Sequence, residues 1–112
     1  MGFDGTVTAG ITYEVHTQER KFFVTINEHD DGRVCEIFVR LDDAERLELV
    51  TVITRLASMA IREGVNPKTV ARELQDVYSP VTQHIIPGTN DMAHSLTARI
   101  GKVLEDHINR KR

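Results

Sequence analysis

RKFFVTINEHDDGRVCEIFVRL, residues 20–41, decides the fold. Two runs rich in β-branched and aromatic residues, Arg20 to Asn27 and Arg33 to Leu41, flank His29-Asp30-Asp31-Gly32. Acids followed by glycine between two such runs predict a β-hairpin, with Gly32 supplying the positive φ that the turn needs. With Glu28 placed opposite Arg33, Phe22, Val24 and Ile26 oppose Val39, Ile37 and Cys35, an entirely apolar face. The other face then sets Phe23 against Phe38, Thr25 against Glu36 and Lys21 against Arg40. The first face belongs to a core; the second is mixed and carries two aromatic rings.

Upstream of the hairpin, Val7, Ala9, Ile11, Tyr13 and Val15 alternate with Thr6, Thr8, Gly10, Thr12, Glu14 and His16. A period of two predicts a half-buried strand. Downstream, from Asp42, the period becomes helical, and Asp42-Asp43-Ala44-Glu45 places acids at the positive end of a helix dipole. Ten of the fifteen residues from Leu47 to Ile61 are apolar, so the long helix 42–63 is expected to be covered on more than one side. Leu49, Ile53, Leu56 and Ala60 form the predicted core stripe. Val52, Arg55 and Met59, on the opposite flank, are the predicted oligomer interface, because a three-stranded sheet can cover only one side of such a helix.

Gly64 is a C-cap, and Asn66-Pro67 reads as the N-cap and first position of a short helix, 67–77. Tyr78 to Thr89, with Pro80, Pro87 and Gly88, reads as a connector. A last helix begins between residues 91 and 95 and runs to about 109, with Leu96, Ile100, Val103, Leu104 and Ile108 as its stripe. The expected fold is α+β: a small antiparallel sheet of about three strands followed by two to three helices. All 112 residues form one domain, with residues 1–5 and 110–112 frayed.

Composition narrows the function. A chain of 112 residues with 14 Lys+Arg, 17 Asp+Glu and a formal charge of −3 is too short for a barrel or a two-domain dinucleotide enzyme. The basic residues gather at the end: residues 99–112 hold 5 basic and 2 acidic residues, which leaves 9 and 15 in residues 1–98. That is too narrow a patch for a nucleic-acid binder, which needs a broad cationic face. The single cysteine, Cys35, forms neither an intramolecular disulfide nor a CxxC pair, so a reducing, cytoplasmic compartment is expected. No apolar run exceeds three residues, which argues against a membrane span.

Catalytic and metal motifs are missing. The five histidines show neither HExxH nor HxH spacing, and the serines lack a GxSxG context, so no metal, no cofactor and no enzymatic activity are expected. Recognition groups are present. Phe23 and Phe38 beside Arg40 offer a stacking platform with a cation for a purine. Asn90 and Ser95, where the last helix begins, can reach a phosphate, and Arg99 can pair with it.

Gly10-Ile11-Thr12-Tyr13, Val24-Thr25-Ile26-Asn27-Glu28, Glu36-Ile37-Phe38-Val39, Ala60-Ile61-Arg62-Glu63-Gly64-Val65-Asn66-Pro67 and Ala98 to Glu105 follow one another as in the TSCPD domain. The chain resembles that domain from about residue 10 to about residue 108, as a stand-alone version of the C-terminal module of adenosylcobalamin-dependent ribonucleotide reductases. The Thr-Ser-Cys-Pro-Asp motif would fall at His94-Ser95-Leu96-Thr97-Ala98, where only Ser95 is kept and Leu96 replaces the cysteine. Thiol or metal chemistry built on that cysteine is therefore lost. The resemblance and the missing catalytic groups imply a non-catalytic nucleotide-binding module. It would act as a homo-oligomer that binds or sequesters a nucleotide or cyclic-nucleotide signal where subunits meet. Small phage proteins that sequester nucleotide immune signals have a similar layout. The alternative is a regulatory or structural accessory that docks on a ribonucleotide reductase or another replication protein.

Overall fold

A computed structural model describes residues 7–17, 20–79, 84–85, 92–93 and 95–110. Three antiparallel strands, β1 (Val7–His16), β2 (Lys21–His29) and β3 (Val34–Arg40), form a sheet in the order β1-β2-β3. Helices α1 (Ala44–Arg62) and α2 (Pro67–Gln75) follow, then a ribbon of two-residue strands, β4 (His84–Ile85) and β5 (Met92–Ala93), and helix α3 (Leu96–Asn109). The fold is the expected α+β arrangement. The ribbon lies within and just after the segment expected to be a plain connector, and α2 ends two residues before the expected 77; of the residues expected to fray, 1–5 and 110–112, only Arg110 is described, and it is tied to Glu28.

The hairpin forms where the sequence places it, in a different register. Val24 pairs with Val39, Ile26 with Ile37 and Thr25 with Phe38, each displaced by two residues from the expected pairing. Two local devices produce the shift. The turn has three residues, Asp30-Asp31-Gly32, closed by the His29 amide donating to the Arg33 carbonyl at 2.8 Å, with Gly32 at φ 87°. Cys35 is then an extra residue on β3, a bulge between the Asn27–Glu36 and Glu28–Val34 pairs. A slip of two keeps every side chain on its face, so Phe22, Val24, Ile26 and Ile37 are buried as expected. The bulge also lets adjacent Val34 and Cys35 both be buried.

Helix α1 covers the open edge of the sheet. Asp43 is its N-cap, Oδ1 accepting from the Arg46 amide at 3.2 Å, and the C-terminus closes in a Schellman motif. There Gly64, at φ 106°, donates to the Ile61 carbonyl and Val65 donates to that of Ala60. Along the β3 edge, Ser58 Oγ accepts from the Ile37 amide at 3.0 Å and donates to the Ile37 carbonyl at 3.1 Å. One hydroxyl thus satisfies both ladder groups that an edge strand would leave unpaired.

The buried face of α1 is not the expected stripe. Val50, Thr54, Ala57, Ser58 and Ile61 turn inward, whereas Leu49 and Leu56 are exposed and Ile53 and Ala60 are half-buried. The cause is the docking site: α1 lies on a strand edge, where small Ala57 and Ser58 permit close approach, so the contact face is rotated away from the bulkiest stripe. The core joins Phe22, Val24, Ile26 and Ile37 to Val50 and Ile61 of α1, Val70 and Ala71 of α2, and Ile100, Val103 and Leu104 of α3. The α2–α3 approach is set by Gly101, where an added Cβ would lie 2.7 Å from Leu74 Cβ and 2.8 Å from the Ala71 carbonyl oxygen.

Candidate functional site

Glu28 ends the inward-facing series Phe22, Val24, Ile26, and His107 ends the buried series Ile100, Leu104 of α3. The two periodicities therefore bring an acid and an imidazole together at one end of the core. Glu28 Oε2 lies 2.6 Å from His107 Nε2, and His107 Nδ1 lies 2.6 Å from Tyr13 Oη, which reaches in from β1. The Tyr13 and His107 rings meet edge to face, 5.7 Å apart at 89°. Arg110 completes the cluster, Nη2 donating to Glu28 Oε2 at 3.2 Å and Nη1 to the His107 carbonyl at 3.0 Å. A carboxylate only accepts, so Nε2 donates to Glu28; in the neutral ring Nδ1 then accepts the Tyr13 proton. Burial raises the pKa of Tyr13, which keeps the phenol protonated as that donor and unsuited to act as a nucleophile. The chain Tyr13–His107–Glu28–Arg110 ties β1, β2 and α3 into one unit.

This cluster forms part of the wall of a cleft of about 650 Å³. Four cations, Arg33 of the hairpin, Arg62 at the end of α1, Lys68 at the start of α2 and Arg110, line it, while Val34, Cys35, Ile61 and Val65 supply apolar surface. The Schellman turn and the Asn66 cap, whose Oδ1 accepts from the Lys68 amide at 2.9 Å, hold Arg62 and Lys68 at one rim. Arg33 is held by Asp31, Nε to Oδ2 at 2.6 Å, and Arg110 by Glu28. Arg62 and Lys68 make no ion pair among the described residues. The Cys35 thiol donates to the Asn27 carbonyl at 3.5 Å, and burial raises its pKa, so it is a packed thiol rather than a reactive one.

The residues singled out from sequence are not gathered in this cleft. Phe23, Phe38 and Arg40 lie on the outer sheet face, where Phe23 pairs with Arg40 and Phe38 with Thr25, so the rings sit diagonally; Phe38 is exposed. Ser95 is the buried N-cap of α3. Its hydroxyl accepts from the Ala98 amide at 2.9 Å and donates to the Val77 carbonyl at 2.6 Å, which commits it to the fold. Arg99, expected to pair with a phosphate, is half-buried on α3. Its Nε has no hydrogen-bond partner among the described residues, and desolvation lowers its pKa. Asn90 lies outside the described residues. Val52, Arg55 and Met59 are exposed on α1. Sequence reasoning missed Arg33, Arg62, Lys68 and Arg110 because they are scattered along the chain. The available signal was Gly64-Val65-Asn66-Pro67, a junction that must turn sharply and so brings the end of one helix beside the start of the next.

Among the described residues no group of three or more His, Cys, Asp or Glu side chains is placed to hold a metal ion, and no helix is long and apolar enough to cross a membrane. Comparison with curated proteins and with solved structures found no significant match. A family model, that of the TSCPD domain, matches residues 4–108, nearly the whole chain. Its span takes in the hairpin, the Schellman junction and the last helix, the elements that build the cleft, and the chain belongs to the TSCPD domain family.

Proposed function

We propose that this domain is a non-catalytic module that binds a nucleotide or cyclic nucleotide and works as a homo-oligomer, with the ligand's phosphate in the cationic cleft. The observation that carries the reading is the cleft itself: four cations converge there on a chain whose formal charge is −3. A volume of about 650 Å³ is suited to a small organic ligand, and the apolar floor can take a base or ribose beside the charged rim. The roles are those of recognition. Arg62 and Lys68 meet the phosphate as charge-assisted donors, Arg110 and Arg33 add to the positive field, and the buried His107–Glu28 pair fixes the wall from which Arg110 projects.

Calorimetric titration of the full chain with a panel of nucleoside mono-, di- and triphosphates and cyclic mono- and dinucleotides tests this. Binding of at least one member is expected, and Lys68→Ala, at an exposed position, should weaken it about tenfold, the loss of one charge-assisted contact. No heat with any ligand, or undiminished binding by the Lys68 variant, would refute the assignment.

A further inference from the structure

On α1, Leu49, Val52, Leu56 and Met59 follow one another at spacings of three, four and three, the repeat of a coiled-coil seam. All four are exposed, at 67%, 50%, 56% and 49%. The apolar surface continues from the helix onto the sheet, because Leu56 and Met59 share a groove of about 310 Å³ with Phe38, itself 48% exposed. A continuous apolar face of this kind on so small a domain calls for a partner.

Charge identifies the occupant. Flanking the seam on one side, in successive heptads, are Glu48, Arg55 and Arg62, all exposed and none in an ion pair among the described residues. The acid lies toward the N-terminal end of α1 and the arginines toward its centre and C-terminal end. Two such helices laid parallel would set Glu48 of one beside Ile53 of the other and Arg55 beside Ala60, so the flanking charges would find no partner. Laid antiparallel, with Leu49 against Met59 and Val52 against Leu56, they set Glu48 of each beside Arg62 of the other, twice, about a two-fold axis near residue 54, and the two pairs outnumber the single Arg55–Arg55 approach at that axis. We infer that α1 pairs antiparallel with α1 of a second copy of this chain, a self-complementary contact of the kind that a two-fold axis produces. This rests on the homo-oligomeric part of the proposed function and not on its ligand; pairing is read from mass and binding from heat, so the two fail separately.

The test is sedimentation equilibrium of the full chain and four variants. The wild type is expected at twice the chain mass of 12.7 kDa, or an even multiple of it. Leu56→Glu and Val52→Glu alter exposed positions, so each should keep a wild-type far-ultraviolet circular dichroism spectrum while losing the dimer. Glu48→Arg creates two Arg–Arg contacts and should weaken pairing about tenfold; Glu48→Arg combined with Arg62→Glu should restore it to within about threefold of wild type. A monomeric wild type, an odd-numbered assembly, wild-type mass in the folded Leu56→Glu chain, or a double reversal no tighter than Glu48→Arg alone would each overturn the inference.

Discussion

Replacing Ser58 by alanine removes one oxygen and leaves two buried backbone groups of Ile37 without partners. Ser58 and Ile37 are both buried, and the Ser58 hydroxyl is the partner of the Ile37 amide at 3.0 Å and of its carbonyl at 3.1 Å on the edge that α1 covers. Stranding a buried donor or acceptor costs about 1–3 kcal/mol, more than the net value of the bond it made. Two stranded groups therefore cost about 2–6 kcal/mol. Alanine returns about 0.5 kcal/mol through its higher helix propensity, and a water entering the small void lowers the cost further, so a loss of about 2–3 kcal/mol is expected. Thr54 provides the control. It too is buried in α1, but its hydroxyl donates only to the Thr51 carbonyl of its own helix, at 3.2 Å. Thr54→Val removes that hydroxyl with the side-chain shape nearly kept, and should cost under about 1 kcal/mol. The measurement is urea unfolding followed by circular dichroism at one fixed chain concentration, since self-association would shift the midpoint by mass action. A Ser58→Ala chain within about 0.5 kcal/mol of wild type, or no less stable than Thr54→Val, would show that the helix does not seal the strand edge through this hydroxyl.

Gly101→Ala should destabilise by about 1–2 kcal/mol despite a propensity gain of about 1 kcal/mol, because its Cβ would meet Leu74 Cβ and the Ala71 carbonyl oxygen at under 3 Å; a variant that melts above wild type would show that α2 and α3 have room to part. Asp43 has its pKa lowered from 3.8, first by the Arg46 amide that it caps and then by Arg20, so its contribution is complete above 3.8 and fades as pH falls through the lower folded value. The stability gap between wild type and Asp43→Asn should therefore shrink as pH is taken from neutral into the acid range below 3.8 and the wild-type carboxylate is neutralised; a gap that widens in acid contradicts the sign. Glu28→Ala should cost about 2–4 kcal/mol, since it strips a buried imidazole and Arg110 of their shared acceptor oxygen, and a loss below 1 kcal/mol, read by the same urea melts, would deny the network its structural role.

How much of this was legible in the sequence follows from the range over which each signal acts. Side-chain parity along Phe22 to Asn27 is local, and it survives the wrong register because the turn and the bulge together slip the strands by two. Caps are local too: Asp43, Asn66, Gly64 and Ser95 all bound helices near where their chemistry predicts. Ser95 also shows the limit of local reading. An N-cap hydroxyl and a phosphate-binding hydroxyl look alike in sequence, and only the Val77 carbonyl, 18 residues away, shows that this one is spent. The face of α1 was misread because residue bulk was taken as the guide to burial. Docking on a strand edge favours Ala57 and Ser58 and leaves Leu49 and Leu56 outside. The cleft was least legible, since Glu28 and His107 are 79 residues apart and nothing in either neighbourhood marks the other.

Charge accounting in that cleft bears on the class of ligand. Arg33 is neutralised by Asp31 at the hairpin tip, and Glu28 is shared between Arg110 and the buried His107. Within one chain, Arg33, Arg62, Lys68 and Arg110 set against Asp31 and Glu28 give four positive charges to two negative ones, so Arg62 and Lys68 carry an excess of at most two at the rim, less where Arg62, which also lines the α1 groove, meets Glu48 of a second copy. Two positive charges balance a nucleoside monophosphate or the two phosphodiesters of a cyclic dinucleotide. They leave a nucleoside triphosphate, with up to four negative charges, under-compensated in a site that holds no further described cation. Under the proposed function, the monophosphate and cyclic members of the panel should therefore outrank the triphosphates, because each uncompensated charge brought against apolar Val34, Ile61 and Val65 forfeits hydration that nothing in the cleft replaces.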